Sequence, residues 1–172
     1  VKEYYYYLDG TPTHSYMKML YKYPQVEYPY GLLVEENRRR GRGQPEFELV
    51  DAIGDALADG RYFDVFIEYA KADTDDLLIR LTITNRGPDA AALHVLPTVW
   101  FRNTWAWGRT GEGYWPRGAI VADGDRRLVA SGADLPEMAL ELDDPHGICR
   151  GVLATENDTN TSKLFGSGDV QA

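Results

Sequence analysis

All four tryptophans lie between positions 100 and 115, as Trp100, Trp105, Trp107 and Trp115, and Phe101 and Tyr114 stand among them. A flat aromatic face stacks on a sugar ring. It seals a domain interface equally well, because Trp and Tyr bury a large area while keeping one polar handle. Packing within the fold accounts for the cluster at least as well as ligand binding does. Trp105 and Trp107, two apart in a polar, glycine-containing loop, are the candidates for sugar stacking, with Tyr114 and Trp115 beside them. A second cluster, Tyr4, Tyr5, Tyr6 and Tyr7, leads into Tyr16, Tyr21, Tyr23, Tyr28 and Tyr30. We expect this segment and the tryptophan loop to lie outside regular strands and to form one interaction surface, through which the isolated chain self-associates.

Other chemistry is sparsely provided for. Glycoside hydrolysis needs two carboxyl groups facing one another about 5 to 9.5 Å apart. Asp9, Glu35, Glu36, Asp64, Glu68, Glu156 and Asp158 are among the acids present, but chain spacing singles out no pair. His14, His94 and His146 never stand at i, i+4, so the fold alone would have to assemble a zinc site. His94, within an apolar run, reads as a hydrogen-bonded strand residue. Cys149 is the only cysteine, which excludes an intrachain disulfide, and it reads as a buried inert thiol. No serine sits in a G-x-S-x-G elbow, and the glycines of 108–113 fit neither phosphate-loop pattern. The acceptor-like triplets at Asn157 and Asn160 read as chance matches. No catalytic residue, metal ligand or cofactor is assigned.

The one basic run is Arg38, Arg39, Arg40 and Arg42. The chain carries 18 Lys and Arg against 27 Asp and Glu, so its net charge is 18 − 27 = −9. That balance disfavours nucleic acid, whose phosphates need a basic face. We expect these arginines to pair with carboxylates or carbonyls of the fold or of a neighbouring domain.

The elements that must position these residues are mostly strands. Up to about position 44 the chain reads as an aromatic and basic helix-loop segment. Thr11-Pro12-Thr13 can cap a helix in which Tyr16, Leu20 and Tyr23 recur at i, i+4 and i+7, closed by Pro24. A second helix is expected over Leu32–Arg40, with acids early and arginines late. From Pro45 the period changes to two. Phe47 and Leu49 alternate with polar neighbours, then Phe63, Val65, Ile67 and Tyr69, then Ile79, Leu81 and Ile83. The turn at 85–89 is expected to fold 92–101 back against 79–84 as an antiparallel pair, with Pro97 at a bulge or edge. Further strands are expected over 119–122, 127–130, 137–142 and 149–155. Seven or so short strands without long helices argue for a mainly β fold, an antiparallel β-sandwich, with one or two short helices near the N-terminus.

With 44% hydrophobic and 12% aromatic residues, 172 positions suit one globular domain spanning 1–172, and nothing in the composition divides it. The most apolar run, 90–101, is interrupted by His94, Pro97 and Thr98 and falls well short of the roughly 20 residues that cross a bilayer. The start carries no leader pattern, so no membrane partner and a cytoplasmic location are expected. The chain opens on Val1, and both ends read as cut from something longer.

Several long blocks resemble one family. They are Lys2–Asp9, Thr11–Lys18, Leu20–Gln25, Asn37–Arg40, Thr84–Pro88, Leu93–Trp105 and Thr155–Asn157. Together they cover most of the chain and resemble large bacterial proteins related to glycoside hydrolase family 63, the mannosyl-oligosaccharide glucosidases. The resemblance implies a supersandwich-like N-terminal β region, incomplete here, that precedes an (α/α)6 barrel in the same parent chain. In such enzymes the barrel carries the acid and base carboxylates that hydrolyse α-glucosidic bonds with inversion. None of these 172 positions matches a catalytic residue. The chain is therefore expected to brace the barrel without catalysing anything itself and to line part of an oligosaccharide cleft. An independent carbohydrate-binding module and a purely structural domain are the rival readings.

Overall fold

The computed structural model describes residues 3–132 and 135–166, and the chain forms two compact units, Val1–His94 and Val95–Ala172. The fold is mainly β, with two antiparallel sheets and few short helices, as the periodicity predicts.

The first unit is a meander of β1 (Tyr4–Gly10), β2 (Tyr16–Pro24), β3 (Tyr62–Asp73) and β4 (Asp76–Asn85), paired in that order. The expected helix over 11–24 is instead the β1–β2 hairpin. Tyr16, Leu20 and Tyr23 fit a helical stripe, but Met17, Met19, Tyr21 and Tyr23 equally fit period two. Tyrosine-rich sequence favours the pleated form. Thr11 does cap, though a loop rather than a helix: its hydroxyl accepts from the backbone N–H of Ser15 at 3.0 Å and of Tyr16 at 3.1 Å. Tyr4–Tyr7 are therefore strand residues, which corrects the helix-loop reading of positions 1–44.

Between β2 and β3 lie α1 (Tyr30–Arg40) and α2 (Leu49–Ala58). The helix expected over Leu32–Arg40 is α1, with Arg38, Arg39 and Arg40 in its last turn. The strand expected around Phe47 and Leu49 is instead the lead-in, N-cap and first residues of α2. Glu48 and Asp51 form a reciprocal capping box, and the Glu48 N–H donates to Asp51 Oδ2 at 2.8 Å. Leu49 and Ile53, four apart, then bury one stripe against Leu33 of α1. Tyr4, Tyr28, Phe47, Ala52 and Leu57 pack around these three. Asn37 ties the pair together. Its amide donates to the Leu33 carbonyl at 2.8 Å and the Phe47 carbonyl at 2.9 Å, and its oxygen accepts from the Phe47 N–H at 2.8 Å.

The second unit contains β5 (Ala119–Ala122), β6 (Arg127–Gly132) and β7 (Leu135–Glu141) in one sheet, then α3 (Thr161–Phe165). These three strands stand where the alternation places them. The strands expected over 92–101 and 149–155 do not form, and His94 sits in no ladder. Pro97 has no N–H to give a ladder. At the second segment, the Cys149 N–H is taken by the Asp144 carboxylate at 2.9 Å. Gly151, at φ 132°, holds a backbone shape that a strand does not adopt. The expected partner of 79–84 is therefore absent, and β4 pairs with β3 alone.

Little apolar surface is covered. Among the described residues the buried hydrophobic side chains, Leu33, Leu49, Ile53 and Phe63, all belong to the first unit. Among the described residues of the second unit the buried side chains are Thr104 and Asp144, both polar. Two separate compact bodies of these sizes would together expose about 10,000 Å². The chain exposes 13534 Å².

The contact of Leu49 with Leu33 and Ile53 is thus the main apolar anchor of the first unit. Leu49→Ala is expected to destabilise it by about 3 kcal/mol, a loss of transfer energy plus a cavity. Denaturant unfolding followed by circular dichroism checks this, with Val50→Ala, an exposed neighbour on the same helix, as the variant that leaves the midpoint nearly unchanged.

Candidate functional site

The tryptophan loop is built around Thr104. This side chain has 0% exposure, its hydroxyl accepts from the Trp115 N–H at 3.1 Å, and its carbonyl accepts from the Trp107 N–H at 3.4 Å. The loop is thereby pinned at both ends, while Trp105–Trp107 form a single 3-10 turn closed by Gly108 at φ 63°. Gly111 and Gly113 also hold positive φ, and the Tyr114 N–H donates to the Gly111 carbonyl at 3.0 Å. Behind the loop, Asn157 stitches two segments: its oxygen accepts from the Phe101 N–H at 2.8 Å, and its carbonyl accepts from the Asn103 amide at 2.8 Å. An ion pair between Arg117 and Glu156 adds to this tie.

The rings do not all act together. Trp107 is 57% exposed and meets Tyr114 edge-on, with centroids 6.0 Å apart. The Arg109 guanidinium lies 5.7 Å from the Tyr114 centroid and donates to its hydroxyl at 3.0 Å. Trp105 and Trp115 are half-buried on either side of Thr104, and Trp100 stands exposed outside the loop. The arrangement offers one open aromatic face with a cationic hydrogen-bond donor beside it. Asn157 and Thr104 are the residues that sequence reasoning missed as organisers. For Thr104 the available signal was its place among Phe101, Trp105 and Trp107; the sequence around Asn157 carried none.

The second candidate group divides as well. Tyr5 and Tyr7 share one face of β1, with rings 5.8 Å apart and edge-to-face, and Tyr7 is 82% exposed. Tyr6 is exposed, whereas Tyr4 packs on the α1–α2 cluster. Arg39 pairs with Glu36 at 2.5 Å. Arg40 donates to the Pro45 carbonyl at 3.2 Å and lies 4.9 Å from the Phe47 ring centre. Arg38 is exposed.

On the sheet face opposite Tyr5, two carboxylates are held by cations. Asp64, 4% exposed, accepts from Lys22 Nζ at 2.7 Å and Arg86 Nε at 2.6 Å. Burial alone would raise the Asp64 carboxyl, but the two cations outweigh it and hold it below the usual range. Glu68 takes a fork from Arg80, at 2.9 and 3.0 Å, and the Tyr16 hydroxyl at 2.7 Å. Those bonds bring its pKa down to about 2. Four residues along a strand separate the two by about 13 Å, beyond the span that two carboxyls bridge across a glycosidic bond. They are structural ions. Elsewhere, Asp144 is held low by the N–H groups of Cys149 and Ile148. Among the described residues no group of three or more His, Cys, Asp and Glu is placed to hold a metal.

Against known proteins, the chain is 40% identical over 193 residues to a Saccharomyces cerevisiae protein, "Uncharacterized protein YMR196W". The match takes in 96% of this chain but spans only 18% of the yeast protein's length. No protein-family model and no solved structure matches the chain. No helix among the described residues is long and apolar enough to cross a membrane.

Three outcomes test these assignments. Thr104→Val keeps the shape but orphans the Trp115 N–H, so it is expected to cost about 1–3 kcal/mol and shift tryptophan emission to the red. Trp107→Ser is expected to leave the thermal midpoint nearly unchanged. For Glu68 the folded pKa lies below the unfolded one, so its stabilisation is complete above about pH 4.5 and is lost as pH falls towards about 2. Thermal midpoints at pH 6 and pH 3 should therefore differ less in Glu68→Gln than in the unaltered chain.

Proposed function

We propose that the chain is a non-catalytic sandwich portion of a larger glycosidase-related protein, bracing a catalytic (α/α)6 barrel that acts on α-glucosidic bonds. The observation that carries this reading is the want of apolar cover. A unit of 78 residues in which no described apolar side chain is fully buried does not hold its shape by its own core. It draws that cover from a larger body. The family 63-like blocks supply the glycosidase assignment, and the two best-placed strand carboxylates are committed to ion pairs rather than poised for proton transfer. In this reading the Trp107 loop walls one side of the sugar cleft. The lone, unpaired Cys149 accords with a cytoplasmic location.

The carbohydrate-binding alternative rests on a specific arrangement, the open face of Trp107 with Arg109 beside Tyr114. It requires that the isolated chain bind sugar unaided, whereas the bracing role does not.

The 172-residue chain is expected to release no p-nitrophenol from p-nitrophenyl α-glucoside. The product of the uninterrupted reading frame is expected to hydrolyse an α-glucoside. Turnover by the short chain that disappears on replacing one of its own acids would overturn this reading. Maltose quenching of Trp107 emission in the short chain, absent in Trp107→Ser, would favour the binding module instead.

A further inference from the structure

Most arginines of the chain face a carboxylate, as Arg80 faces Glu68 and Arg117 faces Glu156. Among the described residues Arg38, Arg42, Arg102, Arg109 and Arg150 do not. Of these, Arg109 alone is held in place. Its Nη1 donates to the Tyr114 hydroxyl at 3.0 Å, and its guanidinium carbon lies 5.7 Å from the Tyr114 ring centre. Glu112, the one acid between Thr104 and Arg117, makes no ion pair with it. Tyr114 in turn meets the exposed Trp107 at 6.0 Å with 66° between the ring planes, so the two rings form a corner rather than a stack. The base of this loop is fixed as well. The Phe101 ring lies on Gly118, 2.6 Å from where a Cβ would stand, and Thr104 holds the Trp115 N–H. All of these groups belong to the second unit.

We infer that Trp107, Tyr114 and Arg109 form a subsite for an anionic sugar residue, one that carries a carboxylate or a phosphate. A neutral sugar needs only a ring face and a hydrogen-bond partner. A guanidinium immobilised without a counter-charge offers more, because its N–H groups form a fork matched to two anionic oxygens. The Tyr114 hydroxyl occupies Nη1 and leaves the Nε and Nη2 edge for that anion. In a chain of net charge −9 a fixed local cation is what draws an anion, since exposed charges beyond about 8 Å are largely screened. The fixed loop also keeps the ordering cost of binding low. The inference rests on the reading in which this loop meets carbohydrate, and it uses neither the barrel nor its activity.

Titration of tryptophan emission tests it in the product of the uninterrupted reading frame, with Trp107→Ser as the blank that isolates the Trp107 signal. Methyl β-glucuronide or glucose 6-phosphate should bind about ten-fold more tightly than methyl β-glucoside. The tighter of the two anions identifies the group that Arg109 reads. Arg109→Gln should remove the preference and leave glucoside binding unchanged. Tyr114→Phe keeps the ring but frees Arg109, and should reduce the preference about three-fold. If Arg109→Gln shifts the thermal midpoint, Tyr114→Phe decides in its place. Equal affinity for all three sugars overturns the proposal, and so does a preference that survives in Arg109→Gln. An equal response to acetate, which has the charge without the ring, overturns it too. Equal affinity for the sugars would still leave the loop facing carbohydrate, whereas no Trp107-dependent response to any of them would remove that reading as well.

Discussion

A β-ladder satisfies the backbone along its strands but leaves the side chains on its two faces to find cover elsewhere. In this chain the two faces of the first sheet meet that need differently. The charged face of the first sheet closes on itself: Lys22 and Arg86 hold Asp64, and Arg80 and Tyr16 hold Glu68. The face of Phe63, Leu81 and Ile83 has no such means, and of these three only Phe63 is buried. The exposed strand residues, the small helix-borne core and the large total surface all follow from that asymmetry.

β3 is the strand on which the first unit turns. It pairs with β2 and β4 over nearly its whole length and carries both committed carboxylates, Asp64 and Glu68. Each carboxylate reaches a cation from a strand on one side and a second donor from the other, so the ion pairs staple neighbouring strands without an apolar partner layer. Buried charge of this kind is tolerated because every oxygen is occupied. In the second unit, backbone capture does the same work. Thr104, Asp144 and Asn157 each bind main-chain groups of loops that form no ladder.

The aromatic loop illustrates the functional side of this economy. Thr104 and three glycines at positive φ shape a loop that presents Trp107 and Tyr114 while half-covering Trp105 and Trp115. The same rings would serve a sugar or a neighbouring domain. Arg109, fixed on the Tyr114 hydroxyl, adds a directed donor that plain packing does not need.

The strands β3 to β7 were legible in the sequence because alternation over four or more residues, punctuated by Gly, Asp and Asn turns, has few other solutions. The α1 helix was legible from its charge order, acids ahead of an arginine-rich end. Positions 11–24 were not, since Tyr16, Leu20 and Tyr23 fit a helical stripe while Met17, Met19, Tyr21 and Tyr23 fit period two, and only pairing with β1 and β3 decides between them. Positions 47–50 were misleading because a capping box, a local backbone interaction, outweighs two alternating apolar residues. The sequence by itself determined the class of the fold, the absence of recognisable catalytic motifs and the aromatic character of the loops. Tertiary structure alone decided which tyrosines pack and which stand free, that Asp64 and Glu68 are ion-paired, and that Phe63 is buried while Leu81 and Ile83 on the same sheet face are exposed. Those outcomes depend on strand register and on what lies across the sheet, and neither is written in the local order of residues.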